Sequence, residues 1–346
     1  MTIQPVAPFG GDAFEDTFAP KPSQGEGSLR LDLTTSPFNA PLNAYPDAEA
    51  LSLKQEWGRH EGIPPQCICF CHGTETALDW ALRIYCKAGR DNLVTTNPSR
   101  SVYERRARLH RVDCRFAALD TESFALRPQG LMHVADAQTR LFIVTSPGSP
   151  TGVTVKLDDI EALLKTRKQM VIVDEAYIDF QPKDTALPLL NRYDNLIILR
   201  SFSHAWAAAA LRLTAVVAHP DVIKLFEQAL PDFPLSSPVL KEAMKLCKMR
   251  LDVDRWSRRV VEERVRLQLA LKDIPGCLKV YPSAANFLLT RWSDADYVAE
   301  RLADEGIMVR RFKGHTSLSD CLRFTVGLPT DNSRLLGALR RLEYGQ

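Results

Sequence analysis

No stretch of this 346-residue chain approaches the roughly 18 consecutive apolar residues that a membrane-spanning helix needs. Neither sign of charge is in excess, because 44 Lys and Arg stand against 42 Asp and Glu, and this balance argues against a nucleic-acid partner. Residues 1–28 lack the charged start and apolar centre of a signal peptide, so a cytoplasmic location is expected. Neither a membrane nor a nucleic acid is therefore predicted as a partner.

Cysteine is too sparse for a disulfide framework, since the chain has eight cysteines in 346 residues. Cys67, Cys69 and Cys71 alternate, so on a strand their side chains would share one face, with His72 beside them. A metal cluster is one possibility, but ligands spaced in this way on a flat strand rarely converge to a tetrahedron. We therefore expect buried thiols that behave as small hydrophobic residues, and no metal site.

The composition that remains, 45% hydrophobic and 25% charged, is ordinary for a soluble globular protein. A chain of this length can bury a large core in one large domain or in two unequal ones. Apolar runs predict strands at 67–71, 93–96, 141–145, 170–173, 277–281, 286–290, 307–310 and 321–327. Apolar periodicity predicts helices at 77–86, through much of 221–271, at 295–305 and from after residue 327 to about residue 342.

A group of polar residues interrupts one of these patterns. A buried strand is predicted to end at Leu199, and an alanine-rich segment that follows predicts a helix. Ser201, Ser203 and His204 lie at this junction, where backbone N–H groups and the positive end of a helix dipole suit an anion such as phosphate. Arg212 follows His204 by eight residues, about two helical turns, so both side chains are predicted to face one site.

Two further segments have the pattern of ligand sites. Gly73, Thr74 and Glu75 come between a strand and a helix and could cradle an anion, although a plain helix cap explains them about equally well. Asp174 ends the apolar run 170–173, which predicts a central parallel strand with its acid at the carboxyl end. Ligands bind at that edge of open α/β sheets, but a salt bridge or a helix cap is the alternative for Asp174.

These motifs together resemble a known family. Residues 200–212 are similar to the Ser-x-Ser-Lys-x(7)-Arg segment of fold-type I pyridoxal-phosphate (PLP) enzymes, the class I and II aminotransferases, with His204 where that family has its Schiff-base lysine. Three other segments resemble motifs of the family and follow one another in the same order along the chain: residues 45–47, 146–152 and 174–177. Within it, the chain most resembles histidinol-phosphate aminotransferase and threonine-phosphate decarboxylase.

The resemblance implies an architecture. We expect an α/β protein of aminotransferase fold type I, with a large domain built on a mostly parallel seven-stranded sheet between helices and a smaller C-terminal α+β domain. The corresponding division is an N-terminal arm at 1–28, a large dimerising domain at 29–235 and a small domain at 236–346. A homodimer is implied, or a heterodimer with an active paralogue, and Tyr45 would reach the cofactor phosphate of the partner subunit.

The resemblance also implies roles for single residues. Asp174 would pair with the pyridine nitrogen, Tyr177 would contact the 3′ oxygen, and Arg323 would bind the carboxylate of the substrate. Ser149 stands where the family has an asparagine on the 3′ oxygen, and Arg100 stands where an aromatic ring stacks on the pyridine; a guanidinium can stack too, but it repels a protonated ring. The residues that would hold the cofactor phosphate are Gly73, Thr74, Glu75, Ser201, Ser203, Arg212 and Tyr45.

His204 changes the expected chemistry, because an imidazole cannot form a Schiff base with PLP. The favoured interpretation is an atypical enzyme that binds PLP or pyridoxamine phosphate (PMP) non-covalently, uses His204 as an acid or base, and acts on an amino acid or a phosphorylated amino-acid-like metabolite. Two alternatives remain: a catalytically degenerate partner of an active paralogue, and a PLP-independent enzyme that reuses the pocket. A conventional transaminase is excluded on chemical grounds.

Overall fold

The computed structural model describes residues 5, 34–38, 40, 42–315 and 317–342. The predicted arm at 1–28 lies outside the described residues, apart from Pro5. No helix in the described ranges has the length and apolar character needed to cross a bilayer. The structure is an α/β protein with a seven-stranded sheet and a second, four-stranded sheet.

The larger sheet is mostly parallel and has the strand order β1-β7-β6-β5-β4-β2-β3. Its strands are β1 Ile68–Cys71, β2 Asn92–Asn97, β3 Asp113–Ala118, β4 Thr139–Thr145, β5 Met170–Asp174, β6 Leu196–Ser201 and β7 Thr214–Ala218. Strands β3, β2, β4, β5 and β6 pair in parallel, while β7 is antiparallel to both β6 and β1. The carboxyl ends of β2, β4, β5 and β6 therefore meet at one edge of the sheet.

Helices cover both faces of this sheet. The helices are α1 Leu51–Glu61, α2 Thr74–Tyr85, α3 Ser101–Leu109, α4 Pro128–Val134, α5 Leu157–Leu164, α6 Pro220–Ala229, α7 Ser237–Lys248, α8 Arg250–Lys272, α9 Ala295–Asp304 and α10 Pro329–Arg340. Side chains along a strand point alternately to the two faces, so Val171 and Val173 join one core cluster and Met170 and Ile172 the other. Burial on both faces explains why β5 is an unbroken apolar run.

The second sheet is antiparallel and lies in the C-terminal part of the chain. Its strands, in the order β10-β11-β9-β8, are β8 Cys277–Val280, β9 Phe287–Trp292, β10 Arg310–Arg311 and β11 Cys321–Thr325. It packs with α8, α9 and α10 around its own apolar cluster. The predicted boundary at residue 235 stays a prediction, although α7 lies beyond it and still packs Ala243 and Cys247 into the core of the larger sheet.

Most predicted elements are present, and three expectations are wrong. Residues 202–213, predicted to be helical, hold only a 3-10 turn at Ala209–Leu211 before β7 begins. The strand predicted at 307–310 is reduced to Arg310–Arg311. Cys67 lies in the 3-10 turn before β1 and packs on the opposite core cluster from Cys69 and Cys71, so the three cysteines do not share one face.

The thiols of β1 are buried, as expected. Cys69 and Cys71 are at most 2% exposed, and burial raises the pKa of Cys69 to about 12. A thiol with such a pKa stays protonated at neutral pH and is a poor metal ligand. Within 42–315 and 317–342, no three His, Cys, Asp or Glu side chains are arranged to hold a metal ion.

Candidate active site

The candidate residues gather at the carboxyl edge of the larger sheet. Thr145, the last residue of β4, is in register with Asp174, the last residue of β5. Ser201, the last residue of β6, is in register with Thr214, the first residue of β7, which also faces Cys71 at the end of β1. The loops that leave these strands therefore start from one line across the sheet and bring their polar residues together.

The carboxylate of Asp174 is fully buried and is already paired with a cation. Its Oδ2 accepts hydrogen bonds from Tyr103 Oη at 2.7 Å and from Arg100 Nη1, with which it forms an ion pair. Its Oδ1 accepts from the backbone N–H of Ala176 at 3.1 Å. Burial opposes the charge on Arg100, but Asp174 holds the pKa of this guanidinium above its ordinary value. The buried charge of Asp174 is thus compensated within the chain.

Tyr103 completes this cluster and was not foreseen as a site residue. Its hydroxyl lies 2.7 Å from Thr145 Oγ1 as well as from Asp174, and burial raises its pKa well above the ordinary value. The sequence held one signal, because Tyr103 lies three residues after Arg100 at the start of α3, and residues with this spacing share a helix face. Tyr103 therefore remains a hydrogen-bond donor at all physiological pH values.

His204 lies in the loop after β6 and stacks on Tyr177. The two ring centroids are 4.3 Å apart and their planes differ by 17°, while Tyr177 meets Phe287 of β9 edge-on at 5.2 Å. Burial and the neighbouring charge of Arg100 lower the pKa of His204 to about 4, although Asp174 opposes this effect. The imidazole is therefore neutral at pH 7, when it can accept a proton on one ring nitrogen and donate a hydrogen bond from the other.

Arg323 of β11 enters the site from the smaller sheet. Its Nη1 donates a hydrogen bond to Ser149 Oγ at 3.2 Å, and its guanidinium lies 4.8 Å from the ring centre of Phe287. Burial lowers the pKa of Arg323, and its Nε is buried without a hydrogen-bond partner in the described part of the chain. Arg323 thus has an unused N–H donor close to its contact with Ser149 in the loop after β4.

The predicted phosphate residues form a second group around Arg212. Gly73 has φ +88°, and a Cβ added to it would lie 3.1 Å from Arg212 Nη2. The backbone N–H of Ser203 donates to Ser201 Oγ at 3.2 Å, which fixes the loop after β6. Because Arg212 is exposed and its charge lowers the pKa of His204, it lies within electrostatic range of the imidazole.

This neighbourhood arises from a hairpin and not from a helix. Strands β6 and β7 pair directly, so the alanine-rich segment between them has to reverse direction. The helix propensity of alanine amounts to less than about 1 kcal/mol per residue, which sheet pairing and burial outweigh here. The predicted helix dipole after Ser203 is therefore absent from the structure, and the argument that two helical turns join His204 to Arg212 is wrong even though both address one region.

Three other predicted residues contact neighbours at the margin of this region. Thr74 Oγ1 lies 3.3 Å from Thr214 Oγ1 in a buried contact. Glu75 forms ion pairs with Arg105 at 2.9 Å and Arg106 at 3.8 Å, both on α3. Tyr45 is half exposed and stacks on Phe233 at 4.6 Å. The roles of these residues in phosphate binding stay predictions.

The comparison with known sequences now decides the family. The sequence model of the family "Aminotransferase class I and II" matches residues 39–339. The chain belongs to the class I and II aminotransferases. A histidinol-phosphate aminotransferase from Parabacteroides distasonis is 33% identical over 319 residues, which cover 92% of this chain and 92% of that relative. The family resemblance drawn from the motifs is thereby confirmed.

Solved structures of this aminotransferase family share the fold. Histidinol-phosphate aminotransferase from Sinorhizobium meliloti, in complex with pyridoxal-5′-phosphate, superimposes with a TM-score of 0.78 at 23% identity, covering 86% of this chain and 82% of that one. L-threonine-O-3-phosphate decarboxylase from Porphyromonas gingivalis has a TM-score of 0.69 at 21% identity, covering 86% of this chain and 90% of that one. The expected fold type I architecture is confirmed.

The side chains of this aminotransferase-family pocket fit PLP in part. A fully buried carboxylate at the end of a central strand suits a protonated ring nitrogen, and the glycine cradle beside Arg212 suits a phosphate. His204 offers no primary amine, so these residues would hold the cofactor without a covalent bond. Asp174 could serve the ring nitrogen, but in this structure its partner is Arg100.

Proposed function

We propose that this chain is an atypical aminotransferase-family enzyme that binds PLP or PMP non-covalently and uses His204 as an acid or base. Its substrate would be an amino acid or a phosphorylated amino-acid-like metabolite. The observation that carries the proposal is the position of His204, which stacks on Tyr177 at the carboxyl edge of the sheet, where the charges of Arg100 and Asp174 act on its imidazole. Groups that act on one imidazole in this way lie around one site.

The acid–base role of His204 rests on its protonation state and its support. A pKa of about 4 leaves an imidazole ring nitrogen free to accept a proton at neutral pH, although it makes His204 a weak base. The ring is held by stacking on Tyr177, so its orientation does not depend on a ligand. The protonated imidazole would be short-lived beside three arginines, which favours rapid return of the proton to the bound molecule.

The arginines indicate the substrate class. Arg323 has a free donor and can bind a carboxylate through its planar fork. Arg212, with Gly73 and the serines after β6, would hold the cofactor phosphate. When bound, PLP supplies an electron sink that stabilises negative charge on the substrate carbon next to nitrogen. The chain itself would orient the substrate, exclude water and move the proton at His204.

Non-covalent binding can be tested by absorbance and mass spectrometry. We expect the purified protein to change the near-ultraviolet or violet band of PLP relative to that of free PLP at the same concentration, and the band to disappear on dialysis. Borohydride treatment should leave the protein mass unchanged, whereas the same treatment of His204→Lys should add one pyridoxyl group. A mass increase of the native protein that survives His204→Ala would show that another amine carries the cofactor. Unchanged turnover of an identified substrate by His204→Ala would exclude the acid–base role.

A second candidate function is favoured by the ion pair between Arg100 and Asp174. Because this pair supplies a cation inside the chain, the pocket could serve a phosphorylated or carboxylated metabolite without PLP, or belong to a catalytically degenerate partner subunit. Under this alternative, the band of excess PLP is the same with and without the protein, while histidinol phosphate still raises the thermal unfolding midpoint. A protein that responds to neither ligand would support degeneracy of the site.

The oligomeric state forms part of the same proposal. Tyr45 is half exposed in the single chain, which is consistent with a role in the site of a partner subunit. We expect a homodimer in solution, or a heterodimer when an active paralogue is present. Light scattering of the purified chain distinguishes a dimer from a monomer. The variant Tyr45→Phe should weaken cofactor binding and should remain a dimer.

A further inference from the structure

We propose that Arg100 is an internal competitor for Asp174, which must leave this carboxylate before a ligand with a protonated ring nitrogen can bind. Arg100 would then determine which ring the pocket accepts: a cationic ring has to displace it, and an uncharged ring does not. This inference rests on the proposed function in one respect, namely that the pocket around Asp174 is a ligand site.

The contacts of Asp174 make the competition direct. Its side chain is fully buried and Oδ2 already accepts from Tyr103 and Arg100, while Oδ1 accepts from the backbone of Ala176. A second cation at this carboxylate would lie against the guanidinium, and two like charges in a buried site repel strongly. One cation is therefore exchanged for another, and the net charge around Asp174 stays constant during the exchange.

Arg100 has a place to go, which distinguishes it from the other partner of Asp174. Its side chain is 24% exposed and lines a cavity of about 310 Å³ between the start of α3 and the segment Gly314–His315. Glu104 lines the same cavity one helical turn further along α3; its carboxylate pairs with Arg108 at an exposed position and could also receive the guanidinium of Arg100. Tyr103, in contrast, is fully enclosed and would stay on Asp174.

The exchange lowers the apparent affinity for a cationic ring. If Arg100 is away from Asp174 in about one molecule in ten, a ligand that needs the vacant carboxylate binds about tenfold more weakly than to a pocket without Arg100. A ligand of the same shape without the ring nitrogen gains nothing from the departure of Arg100. The change that loss of Arg100 causes in the affinity for each of two such ligands thus reports on the charge of the ring.

The test measures equilibrium binding of two probes to the full chain by calorimetry. Pyridoxine 5′-phosphate has the ring nitrogen but no aldehyde, so it cannot react with lysines. Benzyl phosphate carries the same phosphate on an uncharged ring that lacks the nitrogen and the other ring substituents, so the two probes are compared by how each affinity changes between the native protein and a variant. We expect Arg100→Gln to strengthen binding of pyridoxine phosphate about tenfold or more and to leave benzyl phosphate unchanged. The matched control is Arg105→Gln on the same helix, where the arginine pairs with Glu75 at an exposed position and neither affinity should change.

Two further variants keep the test decisive if Arg100→Gln is unstable. Arg100→Lys keeps the positive charge and should retain weak binding of pyridoxine phosphate. Arg100→Gln combined with Asp174→Asn removes both charges of the pair and should abolish the preference for the ring nitrogen. The thermal unfolding midpoint of each variant without ligand reports whether it is folded.

Each outcome supports or overturns the inference. An equal gain for both probes would mean that Arg100 only fills space, and equal binding of pyridoxine phosphate to the native protein and to Arg100→Gln would mean that Arg100 does not compete. In both cases the pocket is still a ligand site, and the proposed function survives. Failure of both probes to bind any folded variant would overturn the proposed function together with this inference.

Discussion

Two neighbouring carboxylates, Asp174 and Glu175, each pair with an arginine but on different terms. The arginine of Asp174 is Arg100, a side chain 24% exposed at the start of a helix. The arginine of Glu175 is Arg200 in the middle of the sheet, with Nε at 3.0 Å and only 7% of its side chain exposed. Glu175 also accepts from the backbone N–H of Ala186 at 2.6 Å and from Thr185 Oγ1 at 2.9 Å.

The difference shows how one chemical pair can serve two purposes. Arg200 continues to Glu61 of α1 at 3.4 Å, and Glu61 contacts Arg250 of α8 at 2.8 Å, so this buried network joins elements far apart in the chain. The pair of Arg100 with Asp174 borders a cavity on one side and continues on the other only to Tyr103 and Thr145 within the described residues. An exchangeable ion pair therefore borders a cavity and has few further partners, whereas a structural ion pair is enclosed and belongs to a larger network.

Removing Arg200 should have the largest effect on stability. Arg200→Met would leave the buried carboxylate of Glu175 without a cation and Glu61 with Arg250 alone, and burial already raises the pKa of both carboxylates. Breaking a buried pair in this way costs about 3–5 kcal/mol of unfolding free energy. Denaturant unfolding measures the loss, with the midpoint shifting at a nearly constant slope.

Arg192→Met provides the matched control for this change. Arg192 also contacts a glutamate, Glu161, but its side chain is 59% exposed, so its loss should cost no more than about 1 kcal/mol. Similar losses for Arg192→Met and Arg200→Met would mean that the buried network contributes no more than a surface pair, and the contrast with the pair at Asp174 would disappear.

The low pKa of His204 predicts a pH-dependent loss of stability. The folded protein protonates His204 only near pH 4, whereas an unfolded histidine does so near 6.5. The unfolded state therefore binds a proton first as the pH falls, so stability is complete above about pH 6.5 and declines between 6.5 and 4, by up to about 3 kcal/mol. The variant His204→Asn should lack this part of the decline.

The measurement is the unfolding free energy of both proteins at a series of pH values. Other groups titrate in the same interval, including His315, so the difference between native protein and variant is the relevant quantity. Parallel pH profiles would mean that His204 has the same pKa in the folded and unfolded states, and would contradict a lowered pKa.

The sequence alone predicted the frame of this site well. Short apolar runs located the buried strands, because a strand buried on both faces has few alternatives. Asp174 at the end of β5 and Ser201 at the end of β6 could be placed at one edge, since parallel strands share that edge. The motif order then led to the fold, which the structure and the family match confirm.

The contacts within the site could not be predicted in the same way. The direction in which Arg100 points depends on packing around α3, and its position in the sequence suits stacking on a ring as well as pairing with Asp174. The hairpin after Ser201 contradicts the local preference of alanine, because tertiary pairing of β6 and β7 outweighs it. The hydroxyl of Tyr103 meets Asp174 and Thr145 only because α3 packs near the ends of β4 and β5, and its spacing from Arg100 was the one signal in the sequence.

Tyr103→Phe should have a moderate effect and test the least mobile part of the Asp174 cluster. The change removes one donor to Asp174 and one partner of Thr145, and should cost about 1–2 kcal/mol of unfolding free energy. The control is Tyr85→Phe, since the hydroxyl of Tyr85 is equally buried and has no hydrogen-bond partner among the residues described. Tyr85→Phe should be neutral or stabilising, and an equal cost for both variants would mean that cavity formation, not the hydrogen bonds, sets the loss.

The smallest effect is expected for Glu75→Gln. The resemblance assigns Glu75 to a phosphate-binding turn, but its carboxylate is exposed and faces Arg105, in a pair that contributes at most about 1 kcal/mol. The change should therefore leave stability and the affinity for pyridoxine phosphate nearly unaltered, whereas Arg212→Gln should weaken that affinity severalfold at low salt. A loss for Glu75→Gln as large as that for Arg212→Gln would place Glu75 in the phosphate site. Its contact with Arg105 would then be secondary to phosphate binding. The pair of Glu75 with Arg105 would count as an exchangeable ion pair, like the pair of Asp174 with Arg100.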